Sequence, residues 1–283
     1  MNCLFVSDLH GKKHLYEKLF DEVQKYMPDV VLIGGDLFPH GYLPDNPGDE
    51  DFLTDFFIKQ FSELKRIMKE QYPCFLIILG NDDPRSNESR LLKTSYDGYL
   101  WNYLHNRNIK IGDYKFFGYS FIPPSPFGLK DWEKYDVSRF VDPGCTHPFE
   151  GMRSVDPDFD PEYSNIKEDL LYLTREEDLS DSVFLFHSPP YNTSLDRAAL
   201  DGKMVDHVPL DVHVGSIAIQ RFIEERQPLV TLHGHVHEAS SITGEWRTQI
   251  GNTHAFNAAY DDDKLSIVHF DPAQPEKAER RIV

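Results

Sequence analysis

Basic residues and cysteines are both scarce in this sequence of 283 residues, and no apolar run approaches the length of a membrane span. Lys and Arg number 29 against 47 Asp and Glu, a formal net charge of −18. Surfaces that track nucleic acid draw most of their binding free energy from basic side chains releasing counterions, so no nucleic-acid polymer is expected as a partner. The three cysteines, Cys3, Cys74 and Cys145, are odd in number and lack zinc-finger or redox-pair spacing, and they read as reduced thiols. Without a stretch near the ~20 apolar residues of a spanning helix, no membrane partner is expected. Met1 leads straight into a strand-like run with no signal-peptide pattern, which makes a cytoplasmic protein the expectation.

What is present is ample apolar material, 40% of residues, arranged in short continuous runs. Cys3–Val6, Val30–Ile33, Phe75–Leu79, Val183–Phe186 and Leu229–Leu232 have the pattern of strands buried on both faces. Helical spacing of apolar residues fills Lys13 to Tyr26, Phe52 to Lys69, Tyr163 to Glu176 and Ser216 to Arg226. The alternation predicts a layered α/β domain with polar groups at the carboxyl ends of its strands. A hairpin pattern over Ile109 to Tyr119 and strand-turn-strand character from Ser240 to Phe270 are expected to form a second sheet packed on the first. Residues 121–160, rich in Pro, Gly and Asp, read as an elaborated loop over the strand ends, of the length often used for lids or binding loops. The whole of 1–283 is read as one domain.

Each apolar run ends in a polar cluster: Asp8-Leu9-His10, Gly35-Asp36, Gly80-Asn81-Asp82, His187-Ser188-Pro189-Pro190 and Gly234-His235-Val236-His237. Any one of them alone is ordinary turn or cap chemistry. Together, in chain order at five strand ends, they assemble two carboxylates, an amide and four imidazoles. Asp8 and His10, one residue apart on extended backbone, would point to one side and grip a cation. The two oxygens of Asp36 can bridge a second ion, with glycine before it for close approach. His235 and His237 could serve separate ions, and His187 and Asn81 complete the ligand set. Two divalent cations offset by two carboxylates and one hydroxide leave about one positive charge for a phosphate, and paired metals roughly 3.5–4 Å apart can activate a shared water for in-line attack. Mixed N and O donors favour Mn, Fe, Zn, Co or Ni over Mg or Ca, and Mn is the ion expected first.

These five blocks resemble the signature of the calcineurin-like metallophosphoesterase superfamily, and the tail from Gly251 to Ala259 is most similar to that of prokaryotic Icc-like phosphoesterases. The resemblance implies a four-layer α-β-β-α sandwich with two mixed sheets. It implies that Asp8, His10, Asp36 and His237 hold one metal, and that Asp36, Asn81, His187 and His235 hold the other. The expected activity is hydrolysis of small phosphodiesters, such as cyclic nucleotides or nucleotide derivatives, by a metal-bridging hydroxide. The alternatives are a catalytically weak protein-binding scaffold or a nuclease.

One position departs from the family pattern. Asp82 stands where a phosphate-contacting His usually follows the Asn, and it is expected to support the site without acting as proton donor. A missing donor and an added negative charge bias the site toward diesters. His40 and His213 are the candidate replacements, Arg85 a candidate phosphate contact, and Tyr191 a candidate platform for a nucleobase. Asp83-Pro84 reads as a helix start, with Asp83 as N-cap.

Overall fold

A computed structural model of the protein describes residues 1–42 and 51–283. In chain order the strands and helices are β1 (Cys3–Val6), α1 (Lys13–Tyr26), β2 (Val30–Gly34), α2 (Ile58–Met68), β3 (Cys74–Ile78), α3 (Glu88–Gly98), β4 (Asn102–Tyr103), β5 (Arg107–Ile111) and β6 (Tyr114–Tyr119). After the long loop come α4 (Ile166–Thr174), β7 (Ser182–Phe186), the small hairpin β8 (Met204–Val205) and β9 (Val208–Pro209), and α5 (Ile217–Arg226). The chain continues through β10 (Val230–His233), α6 (Ala239–Thr243), β11 (Arg247–Ile250), β12 (Thr253–Asn257), β13 (Ser266–Phe270) and β14 (Glu279–Ile282).

Among the described residues, two six-stranded mixed sheets form, in the orders β14-β13-β1-β2-β3-β4 and β11-β12-β10-β7-β6-β5. Strands β1 to β4 run parallel, with β13 antiparallel to β1. In the second sheet β6, β7, β10 and β12 run parallel, flanked by antiparallel β5 and β11. The expected second sheet is therefore only partly right. Its hairpin joins two of the apolar runs, β7 and β10, and the tail divides, β11 and β12 entering the second sheet while β13 and β14 close the first.

The apolar runs are continuous because both faces of each strand are covered. Cys3, Phe5, Val30, Leu32, Leu76 and Ile78 meet Phe116, Val183, Leu185, Val230, Leu232 and Phe256 between the sheets. The alternate residues Leu4, Val6, Val31 and Ile33 face outward with Leu15, Tyr16, Leu19 and Val23 of α1. Phe184 and Phe186 likewise pack with Phe222 of α5. The result is the four-layer sandwich, each inner sheet buried by its partner on one side and by helices on the other.

The 121–160 segment carries no named helix or strand, yet Asp131, Trp132 and Asp136 anchor its middle. Asp136 receives the amides of Ile217 and Ala218 at 2.7 and 3.1 Å and the hydroxyl of Ser216, so it caps the N-terminus of α5 from across the chain. Trp132 is fully buried and its indole N–H donates to the Asp83 carbonyl at 2.8 Å. Asp131 accepts the amides of Arg85 and Ser154. A movable lid is therefore a poor description of residues 129–137, whose polar groups are spent on fixed internal bonds.

Leu32 is wholly buried between the sheets. Its truncation to alanine is expected to destabilise the protein by about 2–5 kcal/mol, from lost burial and the cavity left behind. Urea unfolding checks this, and a loss under about 1 kcal/mol would contradict the packing.

Candidate metal centre

The two loops that follow β1 and β2 are stitched together by backbone bonds: Asp8 N to Gly35 O at 3.0 Å, His10 N to Asp36 O at 2.8 Å and Gly11 N to Leu37 O at 2.8 Å. This pairing requires both loops to leave their strands sharply. Asp8, His10 and Asp36 adopt left-handed backbone conformations with φ of 59, 46 and 51°, and His235 has φ of 70°. Such values are costly for residues with side chains and cluster at functional sites. The convergence of Asp8 and His10 thus comes from two left-handed turns, not from the extended alternation expected.

Four donors gather here. Ligand atoms of Asp8, His10, Asp36 and His237 all lie within 4.8 Å of one another. His237 Nε2 is 3.1 Å from Asp8 Oδ1 and 3.1 Å from His10 Nε2, and His10 Nε2 is 3.8 Å from Asp36 Oδ2. On the other side of Asp36, His187 Nε2 stands 3.4 Å from Oδ2 and 2.9 Å from Asn81 Oδ1. The His235 ring lies 5.3 Å from that of His187, centroid to centroid, while its amide donates to Asp8 at 3.1 and 3.2 Å. Six of the candidate ligands are thereby brought together around the Asp8 and Asp36 carboxylates by their donor atoms, and the seventh, His235, has its ring beside that of His187.

Glycine is demanded where these walls touch. A Cβ on Gly35, whose φ is +100°, would sit 2.6 Å from His187 Nδ1, and one on Gly80 would sit 2.3 Å from Asp36 Oδ1. Either substitution would drive the ligands apart.

The donor chemistry fits cations. His187 Nδ1 donates to the Gly34 carbonyl at 2.7 Å, which leaves the lone pair of Nε2 facing the Asn81 carbonyl oxygen. Two acceptors in contact need a proton or a metal between them. In the metal-free protein, protons answer it. Burial pushes the His187 imidazolium down, but the carboxylates of Asp36 and Asp8 override that and hold its pKa at about 10. Burial likewise opposes charge on His237, and its bond to Asp8 raises it to about 9. His235, penalised by burial and by the nearby His187 charge, falls to about 3 and stays neutral. The Asp8 and Asp36 carboxyls are lowered because, against the cost of burial, imidazoles of the site surround them.

Asp82 supports this cluster. Its amide donates to Asp36 Oδ1 at 2.9 Å, and its Oδ2 lies 3.4 Å from His10 Nδ1 and 3.1 Å from His40 Nδ1. A carboxylate behind a ligating imidazole orients the ring. His40 is thereby tied to the rim, with its side chain 84% exposed. The other candidates for substrate contact are engaged elsewhere. Arg85 is only 10% exposed, pairs with Glu88 at 3.1 Å and Asp158 at 2.8 Å, and stacks over Trp132 and Phe159. Tyr191 donates to Asp211 at 2.7 Å, and His213 Nδ1 meets Asp196 at 2.8 Å, a cluster of their own.

Asp83 is not the helix cap expected. It is fully buried and accepts the amides of Leu37, Phe38 and Gly80 at 2.8–3.0 Å, clamping the Asp36 loop to the Asn81 loop. Burial and the Asp36 charge raise its pKa to about 8 against those three amide donors. Sequence reasoning missed this role because the Leu37 and Phe38 partners lie 46 and 45 residues away. The adjacent acid in Gly80-Asn81-Asp82-Asp83 was the available hint.

Comparison with known proteins accords with this geometry. The model of the calcineurin-like phosphoesterase family matches residues 1–239. No curated protein matches the sequence. Among solved structures, one crystal structure superposes with a TM-score of 0.62 at 17% identity, covering 99% of this chain and 98% of the other. A protein of Thermus thermophilus gives 0.57 at 15% identity, with coverage of 99% and 98%. A dimetal phosphatase from Danio rerio gives 0.50 at 12% identity, with coverage of 100% and 98%. At such identities the likeness is one of fold.

Because metal ligation needs neutral imidazoles, loading must displace the protons that His187 and His237 retain up to about 10 and 9. Affinity for Mn²⁺ is therefore expected to fall with falling pH, by about tenfold per unit for each proton displaced. Calorimetric titration in buffers of different ionisation heat reads the release directly, and an uptake independent of pH would contradict the assignment.

Proposed function

The chain belongs to the calcineurin-like phosphoesterase family, and from that premise we propose that it is a dinuclear metal-dependent phosphoesterase acting on small phosphodiesters, such as cyclic nucleotides or other nucleotide derivatives. The observation that carries the reading is the approach of Asp8, His10, Asp36 and His237 donors to within 4.8 Å, with His187 and Asn81 on the far side of the same Asp36. Asp8, His10, Asp36 and His237 would hold one ion, and Asp36, Asn81, His187 and His235 the other. Mn²⁺ is taken as the first choice, and Fe, Zn, Co or Ni, which the same mixed donors suit, are the alternatives. Bound, such a pair supplies an activated water and positive charge for in-line displacement at phosphorus.

The chain's own groups set the rest. The Gly34 carbonyl holds His187 in the tautomer that presents Nε2, and the Asp82 carboxylate braces the Nδ1 face of His10. Asp82 also places negative charge beside the opening, with its side chain 25% exposed. That charge opposes a dianionic monoester more than a monoanionic diester, which favours phosphodiesters. An acidic protein of net charge −18 suits a small substrate better than a nucleic-acid polymer.

Protein stripped with chelator and reconstituted with Mn²⁺ is expected to hydrolyse bis-p-nitrophenyl phosphate faster than p-nitrophenyl phosphate. Asp36→Ala should lose both turnover and half or more of the bound metal, since this carboxylate faces both halves of the cluster. Inactivity on both esters with two metals bound per chain would favour a scaffold role, and activity retained by Asp36→Ala would remove the proposed site.

A further inference from the structure

The loop of residues 121–160 brings an aromatic side chain to the metal centre. Phe127 stands edge-on to His235, ring centroids 6.2 Å apart and planes at 89°, and it remains 47% exposed. A phenyl ring half in solvent is unremarkable by itself. Its mounting is the informative feature. The Phe127 amide donates to Ser125 Oγ at 3.0 Å, and Ser125 is buried. Its own amide and hydroxyl donate to Glu133 at 3.0 and 2.5 Å, and its carbonyl accepts from Lys130 Nζ at 2.8 Å. Lys130 and Glu133, each 0% exposed, close the network with a 2.7 Å ion pair. Further bonds from Met152 N to Gly128 O at 2.9 Å and from Lys130 N to Met152 O at 2.8 Å hold the turn's other end.

A fully buried ion pair contributes little net stability compared with apolar packing, because desolvation offsets its attraction. Here every partner of the pair lies in the turn that carries Phe127, so its effect is to fix where that ring stands. A rigid aromatic face beside a phosphate site costs no side-chain ordering when a flat group docks on it.

We propose that Phe127 is a specificity-determining residue, a wall that binds a flat aromatic group carried by the phosphodiester, the chemistry a nucleobase supplies, with Ser125, Lys130 and Glu133 as its positioning residues. This rests on the phosphoesterase reading of the adjoining centre, but it is tested by binding alone. The probes are diphenylphosphinate and diethylphosphinate, monoanions without an ester bond to hydrolyse that differ in aromatic character, titrated calorimetrically into Mn²⁺-reconstituted protein. The wild type is expected to bind diphenylphosphinate at least tenfold more tightly than diethylphosphinate. Phe127→Ala should reduce that preference to about twofold, with metal content unchanged, and Phe127→Trp should keep it. A wild type without preference, or a preference that survives Phe127→Ala, overturns the inference while leaving the hydrolysis assay to stand by itself. Failure of that assay despite aromatic-selective binding would instead overturn the catalytic reading and leave Phe127 as the ligand-selecting wall.

Discussion

Two carboxylates buried side by side govern this molecule. Asp8 and Asp36 are 7% and 2% exposed at the ends of neighbouring parallel strands, and burial of that much negative charge is costly unless it is neutralised. The surrounding imidazoles meet the need either by holding protons or by presenting lone pairs to cations. A site that must have positive charge, and in which ligand atoms of Asp8, His10, Asp36 and His237 lie within 4.8 Å of one another, is chemically suited to a cation. The same constraint explains the left-handed turns at Asp8, His10, Asp36 and His235, which aim side chains inward at the expense of backbone comfort.

That aim is held by groups with no direct part in ligation. Asp83 clamps two ligand loops through three amides, and the glycines at 35 and 80 permit a contact no Cβ would allow. The 121–160 segment does similar work at larger scale. Its Asp136 caps α5, its Asp131 and Trp132 secure the chain after Asn81, and its buried Lys130–Glu133 pair fixes the turn at Phe127.

Much of the core was legible in the chain. Apolar runs at 3–6, 30–33, 75–79, 183–186 and 229–232 coincide with central strands, shifted by no more than a residue or two at the ends. The alternation of their inward and outward residues was invisible, because strands covered on both faces carry no period-two signal. Nor did the runs disclose that three belong to one sheet and two to the other, or that the tail is shared between them. Among the site residues, the seven ligand candidates stood out because each ends a strand. Only charge or neighbourhood in the sequence marks out Arg85, Tyr191 and His213, and the structure pairs them with Asp158, Asp211 and Asp196.

The sequence by itself determined the kinds of donor and the strand ends that bear them, since a short apolar run followed by Gly, Asp, Asn or His is a local pattern with a local physical cause. Only the tertiary structure decided which donors meet and what holds them. Asp83 finds partners 46 residues away, and His187 leans on a carbonyl 153 residues away. Phe127 reaches His235 across more than a hundred residues through a turn fixed by an internal ion pair. Such pairings depend on sheet order and loop path, which arise from the packing of the whole chain and leave no mark on the residues beside them.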